Sequence, residues 1–98
     1  MADDGDEARR ELRRVVDRLR SMPLTRLGTC AGPARALAQD LADRGAEAEG
    51  RGSYVVPDVG DAAVGDQVAV TGRDLLDLAR PDDAPWMAER LRAFRLAI

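Results

Sequence analysis

The chain has 98 residues, and its 45% apolar and 34% charged content is that of one globular domain rather than a disordered segment. All 15 basic residues are arginine, histidine, lysine and asparagine are missing, and there is one cysteine. Imidazole catalysis, Schiff-base chemistry and zinc binding therefore lack their usual parts. The net charge is −3, with eight arginines against six acids in residues 1–35 and seven against twelve in residues 36–98, which is not the profile of a typical nucleic-acid binder.

Residues 1–5 read as a disordered acidic tail, and residues 6–98 as a single helical domain. From about Asp6 to Met22 the spacing of Ala8, Leu12, Val15, Val16, Leu19 and Met22 predicts an amphipathic helix. Asp6 is placed to cap its start, and Pro23 ends it. Residues 23–32, punctuated by Gly28 and Gly32, read as a joint with at most one helical turn. A second helix then runs from Pro33 to about Arg44, with Ala34, Leu37, Ala38 and Leu41 inward and Gly45 as its C-terminal cap. Cys30 lies just before it and reads as a buried, inert thiol.

Four glycines make residues 45–60 a long loop. Its centre, Ser53-Tyr-Val-Val-Pro57, has extended propensity and is expected to lie against the bundle. Residues 61–80 admit two readings. The alternation Gln67-Val-Ala-Val-Thr71 suits a strand, which with 53–56 would give a small two-stranded sheet and an α+β fold. Over twenty residues, however, Val64, Val68, Thr71, Leu75, Leu78 and Ala79 share one arc of a helix, with Asp61 as its cap. The longer pattern prevails, and Gly65 and Gly72 beside that stripe predict a close helix contact. The last helix starts near Asp83 or Ala84, with Met87, Leu91, Phe94 and Ile98 inward and Trp86 beside them. The expected fold is all-α, a compact bundle of about four helices.

Candidate interaction residues follow from this layout. Arg9, Arg13 and Arg20 project on one flank of the first helix, and Arg10 and Arg14 on another. Tyr54 and Trp86 are the large amphipathic aromatics that anchor interfaces. Asp58 is the acid least explained by capping, and with Asp61 it is the best candidate for a hard cation. No stretch is long and apolar enough to span a membrane, the acidic start is not a signal peptide, and a lone cysteine suits a reducing cytoplasm.

At Pro57-Asp-Val-Gly-Asp-Ala-Ala-Val-Gly-Asp-Gln-Val-Ala-Val-Thr-Gly-Arg-Asp-Leu-Leu76 the chain resembles a group of small uncharacterised actinomycete proteins. The resemblance fits the bias toward residues with GC-rich codons and implies no particular chemistry. The expectation is a cytoplasmic, non-enzymatic protein-interaction or scaffolding module with no cofactor and no membrane contact. Its partner is another protein, with a homodimer as one form. Binding of nucleic acid or another anion through Arg9, Arg10, Arg13, Arg14 and Arg20 is the second reading, and a metal enzyme at Asp58 and Asp61 the third.

Overall fold

The computed structural model describes residues 3–98. It holds four α-helices: α1 (Asp4–Ser21), α2 (Leu24–Ala48), α3 (Val64–Asp77) and α4 (Asp83–Ala97), with a 3-10 turn at Asp61–Ala63 leading into α3. No strand occurs among the described residues. Residues 67–71 lie inside α3, so the all-α expectation holds and the two-stranded alternative is corrected. The Cα atoms fill a slab of 38 × 35 × 17 Å. That thickness fits two helix layers at the usual 8–10 Å spacing.

Helix α1 forms where its apolar stripe predicts, and Ala8, Leu12, Val15, Val16 and Leu19 are buried. The cap is Asp3 rather than Asp6: the Asp6 N–H donates to the Asp3 carboxylate at 2.7 Å. The helix therefore takes in Asp4 and Gly5 of the expected tail, while residues 1 and 2 lie outside the described residues. Acids in the first turn and Arg18 and Arg20 in the last complement its dipole. Met22 before Pro23 is extended, which ends the helix as expected.

The largest correction concerns α2. It is one continuous helix from Leu24, running straight through Gly28, Gly32 and Pro33 where a joint was expected. Leu27, Cys30, Ala31 and Ala34 lead without a break in period into Leu37, Ala38, Leu41 and Ala42, and all are buried. An interior proline costs about 3 kcal/mol and each glycine about 1 kcal/mol. Burial of Leu27, Cys30 and their neighbours offsets those costs, at roughly 1.5–3 kcal/mol per large side chain. The end also moves, from Arg44 to Ala48. Gly45 is buried inside the helix, and Gly50, at φ +66°, takes the left-handed position. Arg51 N–H donates to the Ala46 carbonyl and Gly50 N–H to that of Glu47, the paired bonds of a Schellman ending.

Helix α3 is shorter than the expected 61–80: it starts at Val64, after the 3-10 turn, and ends at Asp77, with Ala79 at φ 54° closing the turn. Asp61 does not cap it; its carboxylate accepts from Arg35 of α2 at 3.1 Å. Helix α4 lies where expected, with Met87, Leu91 and Phe94 buried. In the bundle α1 packs chiefly on α4 and α3, and α2 chiefly on α3.

The predicted close contact sits between α1 and α3. A Cβ on Gly72 would lie 2.6 Å from one methyl of Leu12 and 2.9 Å from the other, and a Cβ on Gly65 would lie 3.2 Å from Arg20 Cγ. Gly72→Ala should therefore lower stability by about 1 kcal/mol net, overpacking outweighing the gain in helix propensity. Thermal melts of Gly72→Ala in the parent and in a Leu12→Val background check this. The trimmed background should recover most of the loss, and a stabilised Gly72→Ala would show that the helices have room to spare.

Candidate interaction surface

Most arginines pair with carboxylates, and several of these pairs cross helix seams. Glu11 of α1 is buried and accepts from Arg95 of α4 at 2.8 and 3.2 Å, with Arg14 and Arg92 also in range. Arg92 also pairs with Glu7. Asp83, buried at the start of α4, accepts from Arg44 of α2 at 2.7 Å and from Arg80 at 2.8 Å. It thereby clamps α4 to α2. Arg90 of α4 donates to Asp40 of α2 at 3.0 Å. The Arg95 hydrogen bond holds the Glu11 carboxyl below its usual range against the opposing effect of burial, and Arg80, then Arg44, do the same for Asp83.

The sequence-predicted arginines separate into two groups. Arg9, Arg13 and Arg20 come together with Arg73 of α3 in a groove of about 320 Å³ between α1 and α3, which Asp17 and Asp77 also line. Arg20 gives two N–H groups to Asp66 of α3, at 3.0 and 2.7 Å. Arg9 lies 3.8 Å from Asp6. Arg13 and Arg73 make no ion pair among the described residues. Arg14 turns to Glu11 on the α4 side, and Arg10 is exposed outside the groove. The five arginines are thus not one surface.

Tyr54 sits on the loop between α2 and α3, and this loop is firmly held. The Gln39 side-chain amide donates to the Tyr54 carbonyl and accepts from the Val56 N–H, both at 2.8 Å. Gln67 of α3 donates to the Pro57 carbonyl at 2.7 Å, while its own carbonyl oxygen is buried without a hydrogen-bond partner. Arg35 spans Asp58 and Asp61, at 3.6 and 3.1 Å, so the pair proposed for a cation faces a guanidinium. Among the described residues no three potential ligands converge as a metal site would need.

The clamped loop and the outer face of α3 leave apolar side chains exposed. Val55 is 85% exposed, Val59 65%, Val70 55% and Tyr54 46%. Tyr54, Val56, Pro57 and Val70 line an open hollow of about 300 Å³ whose edge carries Asp66. Because Asp66 also holds Arg20, the apolar face adjoins the arginine groove. The Arg51 guanidinium lies 5.8 Å from the Tyr54 ring centroid. Trp86 does not join this face. It is half-buried on the α2–α4 seam, with Arg44 4.5 Å from its ring centroid.

Sequence reasoning named Tyr54 but missed Val55, Val59 and Val70. Val70 had a signal, since it falls outside the inward arc of α3 among Asp66, Arg73, Asp74 and Asp77. Cys30 is buried with its thiol 3.5 Å from the Met22 sulfur, in line with the reading of it as a core residue. No helix is long and apolar enough to cross a membrane among the described residues. No protein family, curated protein or solved structure matches the chain.

The lowered carboxyls set an acid limit on stability. Glu11 and Asp83 titrate below their ordinary values of 4.5 and 3.8. Their contribution is complete above those values and is lost as pH falls through the lower native ones. Denaturant melts should show stability nearly flat from neutrality to about pH 5 and declining below it. Glu11→Gln should cost about 1–3 kcal/mol at neutral pH and flatten the decline, because it weakens charge-assisted bonds to Arg95. An unchanged acid profile in both Glu11→Gln and Asp83→Asn would assign the decline to other groups.

Proposed function

We propose that this chain is a non-enzymatic protein-interaction module of the cytoplasm, and that its partner covers the face made by Tyr54, Val55, Val59 and Val70. The observation that carries the reading is that Tyr54 of the clamped loop and Val70 of α3, both exposed, line one apolar hollow, on a loop that also exposes Val55 and Val59. Contiguous exposed apolar patches mark interaction sites. A rigid Tyr presents a large contact area at low entropic cost, and the Arg20–Asp66 pair supplies a polar rim.

A second reading has its own support. Arg13 and Arg73 line the α1–α3 groove without an ion pair, and a phosphate or nucleic-acid backbone would suit them. Asp17 and Asp77 in the same groove weigh against it.

Affinity capture from native lysate, with nuclease present, tests both. The first reading expects a protein partner retained at high salt and lost with Val70→Asp or Tyr54→Ala. Both variants should keep stability within about 0.5 kcal/mol, since neither side chain is in the core. Binding that falls by about one log–log slope unit per phosphate contact as salt rises, and that is lost with Arg13→Ala and Arg73→Ala, would move the function to the groove.

A further inference from the structure

The contacts between α1 and α3 fix their register. Gly72 meets Leu12, and Gly65 meets Leu19 and Arg20, so the two helices run antiparallel. Arg20 pairs across the seam with Asp66. Two helical turns from that pair, about 10 Å toward the start of α1 and the end of α3, Arg13 comes opposite Arg73. One turn further on, Arg9 comes opposite Asp77. Opposite charges thus face each other at both ends of the seam, and like charges in the middle. Arg13 and Arg73 are exposed and line the groove of about 320 Å³. Each has a carboxylate one turn along its own helix, Asp17 and Asp77, at the spacing of an intrahelical pair. Neither arginine pairs with it, and neither makes any other ion pair among the described residues.

Two guanidinium groups at one level of a groove repel each other, and an anion between them replaces that repulsion with two attractions. A carboxylate is satisfied by one guanidinium fork, whereas a phosphate monoester offers three terminal oxygens and close to two charges, enough for both forks. The acids set the rest of the ligand. Asp17 stands one turn to one side of the arginine pair and Asp77 one turn to the other, and both line the groove. A strand of nucleic acid would carry its next phosphates onto those carboxylates. A single phosphate would not, and hydroxyl groups beside it would donate to them. The floor of the groove is Leu12, Val16, Ala69 and Leu76, against which a carbon skeleton packs. Its volume is in the range of small-molecule sites.

We propose that this groove binds a small phosphate monoester that carries hydroxyl groups, a sugar phosphate. The phosphate is held between Arg13 and Arg73, and the hydroxyls donate to Asp17 and Asp77. The proposal rests on the groove reading above, narrows it to one ligand class, and is independent of the Tyr54 face.

NMR titration of the isotope-labelled full chain with ribose-5-phosphate, free ribose, inorganic phosphate and a short single-stranded oligonucleotide tests the proposal. The expected result is saturable binding of ribose-5-phosphate, with amide shifts from Arg9 to Arg20 and from Asp66 to Asp77, weaker binding of inorganic phosphate and none of ribose. Arg13→Ala and Arg73→Ala should each weaken binding at least tenfold, the effect of losing hydrogen bonds to a charged group. Arg10→Ala, outside the groove, should leave it unchanged. All three positions are exposed, so the fold is kept. Equal weakening by Arg10→Ala would reveal charge attraction without a site and overturn the proposal. Tighter binding of the oligonucleotide, lost with Arg13→Ala, would overturn the isolated phosphate and keep the groove reading. Failure of every anion to bind would overturn both, and the capture test with Val70→Asp would still decide the Tyr54 face.

Discussion

Leu12 fills the space that Gly72 leaves empty, and the rest of the bundle depends on that kind of contact. The chain has few large apolar side chains: one Phe, one Trp, one Tyr and one Ile in 98 residues. Buried area must come from leucine, valine and many alanines, and alanine contributes only when helices approach closely. Gly65 and Gly72 bring α3 against α1, and Ala31, Ala34, Ala38 and Ala42 line the inward face of α2. A core built on short side chains tolerates little added volume, and even one methyl at Gly72 forces Leu12 to move.

Thin cores need lateral support, and here arginine supplies it. The guanidinium fork suits bidentate pairing with carboxylates, so Glu11 and Asp83 can be buried while remaining charged. These clamps hold α1 to α4 and α4 to α2 on one side of the molecule. On the other side the loop is held by two glutamines, by Arg35 and by Val56 packed on the core. That division leaves Val55 and Val59 of the loop outside. Their exposure is a consequence of how the loop is attached, because the polar backbone is tied inward and the side chains cannot follow.

The sequence carried α1, α3 and α4 in the period of their apolar residues, and the structure places them within a few residues of that reading. The first half of α2 was hidden by Gly28, Gly32 and Pro33, whose local preference opposes a helix. Only the spacing of Leu27, Cys30 and Ala31 with the later stripe pointed the other way, and it is tertiary burial that decides. The clamp at Asp83 was not legible, because an acid at a helix start reads equally as a cap and as a buried ion-pair partner. Glu11 carried a faint signal, a charged residue at the edge of an apolar arc. Tyr54 was legible as an amphipathic aromatic in an extended segment. Its companion Val70 was not, since it is distant in sequence and meets Tyr54 only where Gln67 ties the loop to α3. The helical wheel already set Arg9, Arg13 and Arg20 apart from Arg10 and Arg14, and the packing of α3 and α4 on α1 keeps that division.

Hydrogen exchange of the chain, free and then bound to whatever it captures, tests the interaction face most directly. Protection gained on binding should concentrate in residues 52–59 and along the outer face of α3 around Val70. Protection confined to α1 around Arg9 and Arg13, with the Tyr54 segment unchanged, would contradict the account and place function in the arginine groove.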